Sequence, residues 1–313
     1  MIASVVRSFW FRALLSLSVL AYLLGQLDGN ETWRAVLSAN PWYLAAAIAV
    51  DAITRATMVS RWVVLIHAQG KEISFWSAGK MFLVSSFLGT ALPTGGADVT
   101  RAYALSQRTD DGKAALASVA VDRLLGISAL MVLAIIGLAV IPPDAATSIH
   151  RFVALIAALV TLGITTVFFG DYVSQQLLPQ QFQESPLGQW IFGAAKSIAA
   201  YRSQRTVLAI VFSQSLVVQA LRVFEVSLLG AALALDVEFS YYLAVIPIGL
   251  LAFMLPISVA GIGVPQGVIV WLLQPAGVAN ATSFTLSTLI VVLGVLCTLP
   301  GVVLYLRDRR SLG

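Results

Sequence analysis

Charged side chains stand inside stretches that hydropathy alone would assign to membrane-spanning helices. Asp51 and Arg55 are four residues apart and share one helix face, whereas Asp122 and Arg123 are adjacent and must point in different directions. A charge at the bilayer centre costs about 3 kcal/mol on insertion scales, so such residues normally face a bundle interior or a wet cavity. The sequence therefore predicts that Asp122 and Arg123 find their partners on other helices.

A further charged pair, Arg222 and Glu225, lies three residues apart in a later apolar stretch. Two interpretations of the spaced pairs remain open. In one, Asp51–Arg55 and Arg222–Glu225 neutralise themselves and serve only the structure. In the other, the arginines hold an anionic ligand, and the carboxylates balance their charge when the ligand is absent.

A first proline-glycine break, Leu92-Pro93-Thr94-Gly95-Gly96, interrupts an apolar stretch. Proline ends the entering helix, and the glycines allow a turn with exposed N–H groups. A half-helix starting at Ala97 or Asp98 would direct its positive N-terminal end toward the membrane centre, where it suits a phosphate. If Asp98 instead caps those donors, a phosphate would bind through arginines. The candidate headgroup contacts are Arg55, Thr94, Gly95, Gly96, Asp98, Arg101, Arg123 and Arg222.

A second break has the same construction but carries no charge, so it offers backbone donors and close approach rather than ion pairing. Its glycine spacing is not a nucleotide fingerprint, because no strand precedes it. The candidate residues of this second hairpin are Pro256, Ser258, Gly261, Gly263 and Gln266.

Enzyme chemistry has little support in the sequence. The two histidines, His67 and His150, fall at predicted helix ends on opposite sides of the membrane, and Cys297 is the single cysteine. We therefore expect no metal site and no cofactor. An intramembrane transferase that uses Asp51, Asp98, Asp122 and Glu225 remains an alternative from the enzyme class.

The amino-acid composition indicates which kind of structural element positions these residues. The chain has 313 residues, of which 59% are hydrophobic and 11% charged, and its mean hydropathy is +0.90. A soluble domain carries about 25% charged residues, so this is an all-α polytopic membrane protein. The net charge of +4 falls in short clusters beside apolar segments, which fits lipid headgroups and orientation signals rather than nucleic acid.

Spanning helices need about 20 apolar residues. Six clean candidates are 9–27, 41–66, 114–141, 150–170, 206–235 and 283–306. Two stretches that contain the breaks, 74–112 and 240–273, are predicted to be re-entrant hairpins. The loop 171–205 is the long polar connection and is expected to include an amphipathic surface helix. We expect a single integral membrane domain over 1–313.

Lysine and arginine set the orientation. If both broken stretches are hairpins, the cytoplasmic side carries Arg7, Arg12, Arg61, Lys71, Arg101, Arg108, Lys113, Lys196, Arg202, Arg205, Arg307, Arg309 and Arg310, and the outer side carries Arg34 and Arg151. Both termini are then cytoplasmic. Residues 41–141 and 206–306 become two helix–hairpin–helix units of opposite orientation, the pattern of inverted-topology repeats.

Four short motifs carry a resemblance to a known family. They are Arg61-Trp62, the segment 92–103, the segment Ala117–Leu124 and Pro256-x-Ser258-x-x-Gly261-Ile-Gly263-Val. In this order they resemble the lysylphosphatidylglycerol synthase transmembrane-region family over roughly residues 10–308. The resemblance implies a bacterial inner-membrane protein that moves or binds an amphipathic lipid. Two-domain relatives add a soluble synthase domain; nothing of that kind follows Gly313 here, so we do not expect synthase activity.

The chain departs from the family pattern after the last motif. Family members usually have Arg-Glu there, where this chain has Pro265-Gln266. The departure removes a charge from the second hairpin and suggests a substrate other than a cationic aminoacyl lipid.

Together these observations predict a flippase-like lipid translocase without enzyme activity. Arg55, Arg101, Arg123 and Arg222 would hold an anionic headgroup in a midplane cavity, with membrane lipid as the partner. A rival interpretation is a membrane subunit that presents lipid to a separately encoded glycosyltransferase or synthase. The residues proposed to balance the arginines are Asp51, Asp98, Asp122 and Glu225.

Overall fold

The computed structural model describes residues 37–90, 92, 95–138, 158, 186–254 and 263–309. Within these ranges every regular element is a helix. The helices are α1 Pro41–Ala68, α2 Phe75–Thr90, α3 Gly96–Thr109, α4 Gly112–Leu138, α5 Pro186–Ala199, α6 Arg205–Ala232, α7 Phe239–Met254, α8 Val264–Leu273, α9 Asn280–Leu296 and α10 Leu299–Arg309, with 3-10 turns at Ala200–Ser203 and Gln274–Ala276. The predicted span 9–27 and, apart from residue 158, the span 150–170 lie outside the described residues.

Helices α1 and α6 form the long antiparallel pair on which the fold is built. Each has 28 residues, about 42 Å at 1.5 Å per residue, which exceeds the roughly 30 Å hydrocarbon core of a bilayer. The backbone N–H of Asn40 donates to Ala232 O at 2.9 Å, and at the other end Gln204 Nε2 donates to Ala68 O at 2.9 Å. The start of each helix therefore meets the end of the other.

A helical hairpin follows each of these helices. Helices α2 and α3 have 16 and 14 residues, about 24 and 21 Å long, so neither crosses a 30 Å core by itself. Helix α7, with 16 residues, matches α2 in length and packs against α8. Because α1 and α6 are antiparallel, the two hairpins begin at opposite ends of the bundle.

A long apolar segment completes each half of the chain. In the first half it is α4, and in the second it is α9 with α10. The predicted span 283–306 lies within the candidate span Asn280–Arg307, and inside it the helix is interrupted at Cys297 and Thr298. Pro300 lacks the N–H that would bond to Leu296 O, and its ring crowds that carbonyl.

The predicted amphipathic helix within 171–205 is α5. It packs against α4 with Ala194 and Ile198 buried. The turn after it places Tyr201 Oη against α1, where it donates to Leu65 O at 2.8 Å. The described part of this loop, from residue 186 onward, therefore belongs to the packed end of the bundle.

Four segments of the described chain are long and apolar enough to cross a membrane. They are Pro41–Ala68, Gly112–Gly137, Arg205–Ala232 and Asn280–Arg307. The all-α membrane protein fold predicted from composition is confirmed.

Candidate functional site

Asp122 on α4 lies at the centre of a buried ion-pair network. Arg61 Nε, from α1, donates to its Oδ1 at 2.6 Å, and Arg101 Nη2, from α3, donates to its Oδ2 at 3.0 Å. Only 2–3% of each of these three residues is exposed. Asp122 thus finds its partners on other helices, and three separate elements are joined through one carboxylate.

Aromatic rings enclose the guanidinium of Arg101. Its Cζ lies 5.0 Å from the ring centroid of Trp62 and 5.6 Å from that of Phe82, both within cation–π range. Trp62 is itself fixed, since its Nε1 donates to Ser118 Oγ at 3.2 Å. Arg101 Nε is buried and has no hydrogen-bond partner among the described residues.

Asp98 bridges two arginines and does not cap its helix. Helix α3 begins at Gly96, after Gly95 as N-cap with φ +91°, a conformation that favours glycine. Because the helix starts earlier than predicted, Asp98 sits inside the first turn. Its Oδ1 lies 3.2 Å from Arg101 Nη2, and its Oδ2 lies 3.4 Å from Arg123 Nη1.

These residues line a cavity of about 160 Å³, which we call the charged cavity. Four arginines face two aspartates around it, which leaves a formal excess of two positive charges. At about 30 Å³ per water molecule, it has room for roughly five waters, and so for the five heavy atoms of a phosphate group. The lining residues are Met58, Arg61, Phe82, Ser85, Ser86, Ala97, Asp98, Arg101, Asp122, Arg123, Gly126, Val218, Gln219 and Arg222.

Arg222 brings a positive charge to this cavity without a carboxylate of its own. Its Nη2 contacts Met58 Sδ at 3.7 Å, and no described carboxylate lies within 4.0 Å of its guanidinium. The possible self-neutralising pair Arg222–Glu225 is therefore not formed. Although the two residues are three apart, the Arg222 side chain extends into the cavity, whose lining does not include Glu225.

Asp51 and Arg55 do form the i,i+4 ion pair, as the structural interpretation of that spacing requires. Arg55 also donates from Nη2 to Gly294 O on α9 at 3.0 Å. Both residues line a different space, an apolar groove among α1, α2, α9 and α10, and not the charged cavity.

The second hairpin contributes no lining residue to the charged cavity among those described. Gly263 has φ +97° and is the N-cap of α8, and its N–H donates to Gln266 Oε1 at 2.6 Å. Gln266 thus closes the start of its own helix. Gly95 and Gly96 likewise form the turn into α3 without lining the cavity. Four candidates, Thr94, Pro256, Ser258 and Gly261, lie outside the described residues.

Several residues of the cavity were not among the predicted contacts, and two of them, Arg61 and Gln219, make side-chain hydrogen bonds within it. Arg61 was assigned to the orientation signal, because it lies near the end of a span, yet it is a direct partner of Asp122. Gln219 carries no charge to attract notice. Its Nε2 donates to Gly126 O at 3.0 Å, while its Oε1 is buried without a partner. The sequence feature that could have identified Arg61 as a site residue is its position beside Trp62 in the first family motif.

The arrangement suits binding of an anion. The free hydrogen-bonding capacity on its walls is mostly guanidinium N–H, which pairs with phosphate or carboxylate oxygens. Within the described part of the chain, no three histidine, cysteine or acidic residues lie together as a metal site would require.

Comparison with known proteins places these residues in a wider context. The family model described as "Lysylphosphatidylglycerol synthase TM region" matches residues 9–301. A "UPF0104 membrane protein" from Methanothermobacter thermautotrophicus is 23% identical over 290 residues, which cover 84% of this chain and 84% of that protein. The match runs through all five helices that line the charged cavity.

Proposed function

This chain belongs to the lysylphosphatidylglycerol synthase TM region family, and we propose that it binds the anionic headgroup of a membrane lipid in the charged cavity and moves that lipid between leaflets. The chain is a multi-pass membrane protein. The proposal assigns it transport rather than catalysis, with a membrane lipid as its partner.

The observation that carries the proposal is the unbalanced charge of the cavity. Four arginines against two aspartates leave two positive charges in a partly enclosed space the size of a phosphate group. Buried charges are stable only when paired. The unpaired Arg222 guanidinium and the unpartnered Arg101 Nε therefore favour a ligand that brings negative charge.

The geometry of the two halves suggests how such a ligand would reach both leaflets. Each half consists of a 28-residue helix, a hairpin and a long apolar segment, and the two 28-residue helices are antiparallel. We infer that the halves are inverted-topology repeats. Rocking of one repeat against the other would open the cavity alternately to each side, as in other transporters of this architecture.

The membrane orientation is part of the same proposal. Lys71 pairs with Asp111 at 3.3 Å near the end of the bundle where Gln204 meets Ala68. Lysine and arginine residues of the connecting segments gather at this end, so we assign it to the cytoplasmic side of a bacterial cytoplasmic membrane, with both termini inside.

The test uses purified protein in liposomes and fluorescent phosphatidylglycerol, whose outer-leaflet share is read by chemical quenching. Gly126 lines the charged cavity, and a Cβ added there would lie 3.6 Å from the Arg61 guanidinium, an ordinary contact. Gly126→Ala should therefore keep transport. Gly126→Leu should extend into the cavity and reduce transport to the rate of protein-free liposomes.

Two results would contradict the proposal. One is wild-type protein that exchanges neither phosphatidylglycerol nor another anionic lipid faster than empty liposomes. The other is a Gly126→Leu variant that transports at the wild-type rate. Native mass spectrometry of the purified protein should show a co-purified anionic lipid on wild type and on Gly126→Ala, but not on Gly126→Leu.

A further inference from the structure

A second space, which we call the apolar groove, runs between α1, α2, α9 and α10. Its volume is about 690 Å³, within the range of roughly 300–1,000 Å³ typical of ligand pockets. Its walls are mostly aliphatic and aromatic carbon. The lining residues are Ile48, Asp51, Ala52, Arg55, Ala56, Val59, Phe75, Trp76, Gly79, Lys80, Phe82, Leu83, Leu296, Cys297, Pro300 and Leu304.

The groove is built for an occupant with both polar and apolar parts. The Asp51–Arg55 ion pair is its polar wall, and the exposed Lys80 lies at its edge beside Trp76, of which 78% is exposed. Tryptophan and lysine together are typical of the headgroup level of a membrane. Because α1 and the α9–α10 segment are candidate spans, hydrocarbon chains are the apolar molecules at hand.

A single side chain, Phe82, lines both the apolar groove and the charged cavity. Only 6% of it is exposed, and its ring lies 5.6 Å from Arg101 Cζ on the cavity side. The two spaces therefore adjoin at Phe82. A phospholipid has the same order of parts: an anionic phosphate that is linked through glycerol to hydrocarbon chains.

We propose that the apolar groove holds a hydrocarbon chain of the same lipid whose phosphate enters the charged cavity, with Phe82 as the partition between them. This inference rests on the proposed function, because it assigns the second half of that lipid. The ligand class is then an anionic lipid held by headgroup and chain together, rather than a free phosphate.

The experiment places the full-length protein in phosphatidylcholine nanodiscs with a phosphatidic acid that carries a photoactivatable diazirine in one acyl chain. Crosslinked residues are mapped by mass spectrometry. We expect crosslinks on the Trp76–Leu83 and Leu296–Leu304 segments. Unlabelled phosphatidic acid should compete them away, whereas more phosphatidylcholine or inorganic phosphate should not.

Two groove variants and one matched control sharpen the result. A Cβ at Gly79 would lie 3.9 Å from Val59 Cγ1, so Gly79→Phe can be built without a backbone clash and should fill the groove. Ala52→Phe fills it from α1. Both should lose the competed crosslinks and slow transport of phosphatidylglycerol in liposomes. Ile135→Phe, on an exposed apolar position of α4 that does not line the groove, should change neither.

The readouts separate failure of this inference from failure of the proposed function. If wild type transports and Gly126→Leu does not, while Gly79→Phe and Ala52→Phe transport normally, the groove assignment is wrong and the charged cavity stands. If neither wild type nor any variant transports phosphatidylglycerol or another anionic lipid, the proposed function itself is wrong. Crosslinks that phosphatidic acid does not displace would show ordinary boundary lipid. No labelling of the groove segments would mean that another occupant, such as residues 9–27 of this chain, fills it; either result overturns the inference.

Discussion

Arg55 and Gln219 occupy the same place in their helices, and each donates a hydrogen bond across the molecule. Counted from Pro41 and from Arg205, each is the fifteenth residue. Arg55 donates to Gly294 O and Gln219 donates to Gly126 O, both at 3.0 Å. The two glycines are also the fifteenth residues of their helices, α9 and α4. This reciprocal pair is what two inverted repeats that share an interface would produce.

The same counting shows how the halves differ. Arg101 is the sixth residue of α3, and the sixth residue of α8 is Ile269, which is buried in the apolar core. Asp122 is the eleventh residue of α4, where α9 has the half-buried Ile290. The ion-pair network centred on Asp122 therefore lies in the first half of the chain. Apolar side chains occupy the corresponding helix positions in the second half.

Removing the Asp122 carboxylate should destabilise the protein strongly. Asp122→Asn leaves Arg61 and Arg101 buried beside a neutral group, and breaking such a buried pair costs about 3–5 kcal/mol. The midpoint of thermal unfolding in detergent should fall by roughly 6–10 °C. Asp110→Asn is the matched control: Asp110 is exposed, and at its φ of 52° asparagine is tolerated. Equal midpoints for the two variants would contradict the central role of Asp122.

Arg222→Gln should separate binding from stability. Since Arg222 has no carboxylate partner among the described residues, removing its charge should leave the unfolding midpoint unchanged or raise it. A hydrogen bond to a charged group contributes about 1.5–3 kcal/mol, so affinity for phosphatidic acid should fall tenfold or more. Lipid titration monitored by native mass spectrometry measures this, with exposed Arg205→Gln as the control. A lowered midpoint with unchanged affinity would assign Arg222 a structural role instead.

Much of the fold could be predicted from the sequence, because hydrocarbon imposes strict rules. Long apolar runs had to be helices, and glycines mark the turns before α3 and α8, where Gly95 and Gly263 have positive φ. The interruption at Cys297 and Thr298 could not be predicted from hydropathy, because the run remains apolar through Pro300. The helix is interrupted there because Pro300 has no backbone N–H to donate to Leu296 O.

The site was harder to predict, because a charged side chain near a helix end can either extend to the lipid headgroups or turn into the bundle. A lysine or arginine there usually extends to the headgroups, and the sequence looks the same when it turns inward. Arg61 turns inward because α4 brings Asp122 to it from 61 residues away, a relation that only tertiary packing reveals. For Arg222, helical spacing to Glu225 predicted a possible pair, but the space beside α3 and α4 decides where its guanidinium lies.

Helices α2 and α3 of the first hairpin pack closely, and this packing can be tested by measuring stability, without a transport assay. A Cβ on Gly89 would overlap with Ala97 on α3, so Gly89→Ala must push the helices apart, at a cost of about 1–3 kcal/mol. Gly79→Ala in the same helix meets only Val59 at 3.9 Å, and its better helix propensity should stabilise by up to about 1 kcal/mol. The midpoint of thermal unfolding should therefore fall for Gly89→Ala and rise for Gly79→Ala. If Gly89→Ala is as stable as wild type, α2 and α3 do not pack this closely.

Asp111, outside the spans, should make one part of the stability depend on pH. The Ala114 N–H donates to its Oδ1 at 3.0 Å, and this bond, with Lys71, holds the pKa of the Asp111 carboxyl below its ordinary 3.8. A lowered folded pKa means that the contribution is present above the unfolded pKa and is lost as pH falls through the folded one.

Asp111→Ala should therefore cost about 1 kcal/mol at pH 7, as loss of a helix N-cap does, and less as the pH falls below about 4. Asp111→Asn keeps a neutral cap and should vary less with pH than wild type. Unfolding midpoints of the three proteins measured between pH 7 and pH 3 test this. A gap between wild type and Asp111→Ala that stays constant to pH 3 would show that the ionised carboxylate adds nothing to the cap.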